Sequence, residues 1–362
     1  MYNRVKKKWT ILIYADGNNE MEEVIYKSLL ACEKIGSSND INIVVEISKL
    51  GNYRTDEKNS WSGVRRYYVE NGHSILIEDL GKTNTADPNN LYDFIQWGYE
   101  NYKAEQFILV LSDHGGDFIG CFTDLSLKVP YIMGIPEMIQ AINAIRTNLG
   151  YIIDVLVLDM CYMNCIEIIY ELGQDKNATV KSVITYMDSA AYEGLNYEKL
   201  VISANEYSDL KDLKLFIKDL IDNQDFNMIA YEINHDKLEQ VKLLFSEIGK
   251  KTERPLDMFK DQTENMEPVG LIKSINELLE SLVIYSKKHF KGINSSISIT
   301  SRDVGHLIFF YKKLAFSKNN FWVTLLNNTN KYNVFLQKDK VNVYSPITSE
   351  SKIHYILKFS RS

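Results

Sequence analysis

His114 and Cys161 are the two residues whose type and placement could run covalent chemistry. Each stands where an apolar run stops: FILVLSDHGG carries His114 at its exit, and DVLVLDMC carries Cys161. A thiol must lose its proton to become a good nucleophile, and the group it displaces must gain one; a single imidazole can serve both steps. Gly115 and Gly116 leave room beside the imidazole for a substrate backbone. The backbone N–H groups of Gly115 and Cys161 are the expected oxyanion donors, since both leave turns at the same rim. Cys161 also precedes a helical segment, whose positive end favours a thiolate. The chemistry implied is cysteine-dependent acyl transfer.

The bland alternative is that Cys161 is inert core and His114 a satisfied structural group. Position argues against it, because in open α/β sheets ligands bind beyond the carboxyl ends of the strands, and both residues lie there. The acids around them divide by pleat. Asp159 repeats with Cys161 on one side of its strand and could floor a pocket for a cationic side chain, or cap the next helix. Asp113 faces away from His114, which disfavours a triad role. Asp188 follows the run SVITYM and either joins Asp159 or is a turn residue. Asp16, Asn18 and Asn19 follow the first apolar run and are read as caps rather than cation ligands. The other histidines (His73, His235, His289, His306, His354) follow no buried strand and are read as surface or structural.

These residues need a scaffold of short apolar strands alternating with amphipathic helices. Residues 9–16, INIVVEIS, FILVLS, DVLVLD and SVITYM read as strands, with helices at MEEVIYKSLLACEKIG, after Asp87-Pro88, at PEMIQAINAIRTNLG and at MNCIEIIYELG. VRRYYVE and SILIEDL flank Asn71-Gly72, a hairpin turn, and belong at a sheet edge or over the cleft. Residues 115–135, with scattered glycines and two prolines, read as a loop. The alternation predicts an α/β fold: a mostly parallel sheet in three layers with right-handed crossovers. After about residue 205 the pattern turns helical, with long amphipathic segments at EYSDLKDLKLFIKDLI, DKLEQVKLLFSEIGKK and LIKSINELLESLVIYSKKH, then late strands at SSISITS, VNVYS and IHYILKF.

At 362 residues, 45% apolar and 25% charged, the chain has the composition of a globular protein large enough for a substantial core. Lys and Arg number 41 against 48 Asp and Glu, a formal charge of −7 that disfavours nucleic acid and anionic membrane as partners. Four cysteines (Cys32, Cys121, Cys161, Cys165) make no disulfide framework and no zinc spacing, so no metal is expected. MYNRVKKKW runs into too short an apolar stretch for a signal peptide, and no membrane-spanning segment is visible, so the compartment is left open between cytoplasmic and exported.

In their order, the motifs WTILIYADGNNEME, LSDHGG, VLDMCYMNCIEIIYEL, EGLNYEKL, ISITSRD and KLAFSKNNFW resemble those of the clostripain family of cysteine peptidases over most of the chain. The resemblance implies a caspase-like core over residues 1–205 and a helix-rich region over 206–362, with late strands packing back on the core. It implies a Cys161/His114 dyad that cleaves protein or peptide substrates after Arg or Lys, with Asp159, and Asp188 near it, in the specificity pocket. Family members are commonly activated by cutting themselves after the histidine motif, and Lys128 in LSLKVPY is the matching residue. No cofactor is implied for the chemistry; calcium activates some members. The competing readings are an inactive relative that only binds, and another α/β hydrolase or a redox protein working through Cys161 and Cys165.

Overall fold

A strand in the middle of a three-layer fold is buried on both faces, so it must be apolar on both sides of its pleat. Ile11–Tyr14, Ile108–Leu111 and Val155–Leu158 meet that demand, with no side chain in them more than 2% exposed. The computed structural model describes residues 6–52, 61–187, 189, 192–208, 213–251, 266–300, 304, 307–327 and 342–344.

The elements run β1 (Lys7–Ala15), α1 (Glu22–Glu33), β2 (Ile41–Lys49), β3 (Gly63–Glu70), β4 (His73–Gly81), α2 (Pro88–Asn101) and β5 (Ala104–Ser112). Then come β6 (Gly120–Asp124), β7 (Tyr131–Gly134), α3 (Ile135–Leu149), β8 (Ile153–Asp159), α4 (Ile166–Gly173), β9 (Val180–Tyr186), α5 (Tyr197–Glu206) and α6 (Leu213–Asp222). They end with β10 (Met228–Glu232), α7 (His235–Lys251), α8 (Met266–Glu280), β11 (Val283–Ser286), α9 (Ile308–Tyr311), α10 (Trp322–Asn327) and β12 (Asn342–Tyr344).

Nine strands form one sheet in the order β11-β10-β9-β8-β5-β1-β2-β3-β4, parallel from β9 to β2 and antiparallel at both flanks. The pleat sorts its residues into two cores. Leu12, Tyr14, Leu109, Leu111, Leu156 and Leu158 pack with α2, α3, α4 and α7; Ile11, Ile13, Ile108, Val110, Val155 and Val157 pack with α1, α5 and α6. This is the three-layer α/β architecture expected, with the β3–β4 hairpin at a sheet edge as its turn predicts. Among the described residues no helix is long and apolar enough to cross a membrane.

Two expectations are corrected. Residues 115–135 are not all loop: β6 and β7 pair antiparallel, and β12 adds to β7 in parallel to make a second, three-stranded sheet. The strands are too short and their glycines too frequent for period-two patterning to show. The long helix expected through residue 289 stops at Glu280, and Val283–Ser286 turns into β11. VIYS is β-branched and aromatic, and β10 beside it would otherwise be an open edge, so ladder pairing outweighs continuation of the helix. The region after residue 205 thus contributes β10 and β11 to the same sheet that carries His114 and Cys161.

Candidate active site

Register brings the two reactive residues level. Ala15, Ser112 and Asp159 lie in one row across β1, β5 and β8 at the carboxyl edge of the sheet. His114 stands two residues beyond Ser112 and Cys161 two beyond Asp159, so both leave neighbouring strands at the same height. The two loops touch. A Cβ at position 115 would lie 2.0 Å from the Cys161 carbonyl oxygen and 3.0 Å from the Met163 thioether sulfur, so only glycine lets them approach. Cys161 is the one partly exposed cysteine; Cys32, Cys121 and Cys165 are buried. The next residue, Tyr162, holds a left-handed backbone (φ 60°), a conformation costing about 1 kcal/mol or more that is typical of functional corners.

The helix after the cysteine begins only at Ile166, with Cys165 at its N-cap. Cys161 therefore lies outside the first turn, where a helix dipole acts strongly. Buried Cys165 lies against Asp117, and burial followed by the nearby acids pushes its thiol well above the ordinary range, which disfavours a Cys161/Cys165 redox pair.

His114 meets a residue that sequence reasoning missed. Its Nε2 lies 3.2 Å from Glu20 Oε1, on the loop between β1 and α1, an ion pair whenever the imidazole is protonated. Burial works against the imidazolium, yet Glu20 and the charge of Asp113 outweigh it, and His114 titrates above its ordinary value. The signal for Glu20 lies in sheet order: β1 flanks β5 opposite β8, so whatever follows Ala15 must face whatever follows Ser112. Asp113 turns away from the ring, as the pleat predicts. Its Oδ1 accepts from Asn19 Nδ2 at 2.7 Å and its Oδ2 from the Thr123 N–H at 2.6 Å, and burial pushes its carboxyl up to about 6 despite these bonds and the His114 charge.

Asp159 is held differently. Its Oδ1 accepts from the Tyr186 hydroxyl at 2.5 Å and the Leu195 N–H at 2.9 Å; its Oδ2 accepts from the Tyr197 hydroxyl at 2.7 Å and the Ser112 hydroxyl at 2.8 Å. All four acceptor positions of a carboxylate are filled by neutral donors. Among the described residues no Lys or Arg forms an ion pair with it. The result is a buried negative charge, 6% exposed, that is hydrogen-bonded but not neutralised. Ser112, Tyr186 and Tyr197 were not singled out from sequence, though Tyr197 sits in EGLNYEKL. Gly194, at φ +66°, lets the chain lay the Leu195 N–H on Asp159. Asp188 lies outside the described residues, as do His306 and His354.

Asp16, Asn18 and Asn19 spend their groups internally. Asp16 Oδ1 accepts from the Asn18 N–H and from Ser48, Asn18 Nδ2 donates to Asp124, and Asn19 Oδ1 accepts from the Met21 N–H beside α1. Among the described residues no group of three or more His, Cys, Asp or Glu is arranged to hold a metal ion. Lys128 is exposed on the turn between β6 and β7.

A mostly parallel sheet with helices on both faces, carrying a cysteine and a histidine beyond neighbouring strands, is a caspase-like fold. Residues 13–351 match the model of the clostripain family, peptidase family C11, and the chain belongs to that family of cysteine peptidases. Its fold is similar to that of an inactive zymogen C11 protease from Parabacteroides distasonis (TM-score 0.63, 16% identity, 87% of this chain and 99% of that one). It is also similar to a secreted C11 cysteine protease from Bacteroides thetaiotaomicron in complex with an irreversible peptide inhibitor (TM-score 0.64, 12% identity, 87% and 99% covered). At such identities the likeness is one of fold. Clostripain of Hathewaya histolytica is 25% identical over 126 residues, 30% of this chain and 24% of that protein, so the chain matches about a quarter of that relative's length.

Proposed function

We propose that this chain is an endopeptidase that cleaves protein and peptide substrates after Arg or Lys, with Cys161 as nucleophile and His114 as its base and acid. The observation that carries the reading is the contact of Gly115 with the Cys161 backbone, since it joins the histidine loop to the cysteine loop at one rim. The Cys161 thiol gives its proton to His114, and its sulfur attacks the substrate carbonyl carbon. Backbone N–H groups of Gly115 and Cys161 stabilise the resulting oxyanion. His114 passes its proton to the departing amine as the C–N bond breaks, leaving a thioester on Cys161. His114 then takes a proton from water, whose oxygen attacks the thioester and releases the acid and the thiol.

The uncompensated charge of Asp159 favours a cationic P1 side chain. Because its four acceptor positions are filled, it acts through its field, with any hydrogen bond to the guanidinium or ammonium coming from exchange with a hydroxyl. Asp188 is proposed as a second acid of the same pocket. Lys128, exposed on a turn between paired strands, is proposed as the residue after which the chain cuts itself.

Fluorogenic Arg and Lys peptides, assayed under reducing conditions with calcium or with a chelator, test the reading. Turnover by wild type that is abolished in Cys161→Ala supports it; no turnover with either peptide would leave a binding protein. Intact mass after incubation tests the processing step: loss of the cut in Lys128→Ala is expected, and a cut that persists there removes the idea.

A further inference from the structure

The cysteine loop has to be held at both ends. It leaves β8 at Asp159, passes through the left-handed backbone of Tyr162 and enters α4 at Ile166, and a non-glycine residue keeps that conformation only where its surroundings impose it. The upstream end is fixed by the pairing of β8 with β5 and β9. The downstream end is fixed by a residue the mechanism does not use, the buried Asn164.

Asn164 ties the loop to the part of the chain beyond residue 205. Its Nδ2 donates to the Ser296 carbonyl at 2.7 Å, and its Oδ1 accepts from the Tyr231 hydroxyl of β10 at 3.2 Å. Its own carbonyl accepts from the Ser298 N–H at 3.0 Å and from the Ser298 hydroxyl at 2.7 Å. The Ile166 N–H in turn donates to the Ser298 carbonyl at 2.9 Å, which sets Cys165 beside Ser298 as an isolated parallel bridge. An amide suits this place, since one side chain must donate to a carbonyl and accept from a hydroxyl. The segment it grips is itself anchored: the Ile293 N–H donates to Asn276 Oδ1 of α8 at 3.0 Å, and the Lys291 N–H to Ser296 Oγ at 2.8 Å.

A shift at Asn164 reaches the reacting groups by contact. Met163 precedes it, fully buried, and its side chain lies with the Cys161 carbonyl against Gly115, so the surface on which the histidine loop rests moves with Asn164. We propose that Asn164 is a positioning residue: through it the C-terminal region holds the cysteine loop at the rim it shares with His114. Asn164 acts through the loop backbone, and the 206–362 region thereby serves the reaction without lending it a reacting group.

Turnover as a readout rests on the peptidase reading; hydrogen exchange does not. In the full-length protein, Asn164→Ala should lower kcat by about 10-fold or more while KM changes by less than about 2-fold. Ser298→Ala removes one hydroxyl from an exposed position and keeps the Ser298 N–H, so it folds even where Asn164→Ala does not, and it should lower kcat by about 3-fold. Glu171→Ala cuts the bond from the Phe316 N–H near the other end of α4, and should lower Tm while leaving kcat within about 2-fold of wild type. Unchanged kcat in both Asn164→Ala and Ser298→Ala, or an equal fall in Glu171→Ala, overturns the positioning role. Amide exchange should quicken across residues 160–166 in Asn164→Ala and Ser298→Ala and stay as in wild type across β8; unchanged exchange across 160–166 overturns the proposal. If wild type cleaves neither the Arg nor the Lys peptide, the peptidase reading fails by itself, and exchange still decides whether Asn164 holds the loop.

Discussion

The chain leaves β5 and β8 in the same way, yet the buried aspartate at each point does a different job. Asp113 precedes His114 by one residue and so points away from it, into a pocket shared with Asp16, where burial pushes it up to about 6. Asp159 precedes Cys161 by two residues and so shares its side of the pleat, where two tyrosines, a serine and a backbone amide hold its charge in place. Parity within a strand, not residue type, decides which aspartate shares the side of the pleat on which Cys161 follows and which turns away from His114.

The largest effect tests whether the two loops form one machine. Cys161→Ala and His114→Ala should each lower kcat for an Arg peptide on the order of 10⁴-fold or more, and the double variant should be little worse than either, because residues that act as a unit are not additive. Losses that multiply would separate the two loops. Gly115→Ala should come next, lowering kcat by about 100-fold, since the added methyl must move the Cys161 carbonyl from a 2.0 Å overlap. Unchanged kcat would remove the contact on which the site is built.

Asp159→Asn should lower kcat/KM for Arg and Lys peptides by about 10- to 100-fold, mostly through KM, and cost about 2–3 kcal/mol of stability as an amide N–H meets two of its donors. Asp113→Asn should show its effect in pH dependence instead. Asp113 binds its proton more tightly folded than unfolded, so its contribution to stability is fully present below about pH 4 and is lost as pH rises through about 6. The wild-type melting temperature should therefore fall relative to that of Asp113→Asn across that window and run parallel above it; parallel curves throughout would contradict the assignment. The smallest effect is at Glu20, which is 46% exposed. Glu20→Gln should lower the His114 pKa and bring the alkaline limb of kcat/KM down, less at high salt.

Much of this was legible in the residues themselves. The apolar runs ending at Ala15, Ser112, Asp159 and Tyr186 announce buried parallel strands, and from those the rim that carries His114 and Cys161 follows. Glu20 was not legible, because its approach to His114 depends on β1 lying between β2 and β5, and strand order is not a local property. The hydroxyls around Asp159 come from three separate elements, so spacing along the chain cannot reveal them. β6, β7 and β11 were hidden because strands of four or five residues carry too few pleats to show a period.

The turn that bears Lys128 has a consequence for how the protein would look once cut. His114 lies upstream of that bond and Cys161 downstream, so cleavage would divide the proposed dyad between a light and a heavy fragment. Both would stay seated: β6 and β7 remain paired, Asp124 keeps its bonds to Thr85 and Asn18, and β1, β5 and β8 remain side by side in one sheet. A denaturing gel would report two polypeptides where a sizing column reports one particle, and neither fragment purified alone would own a complete reaction centre.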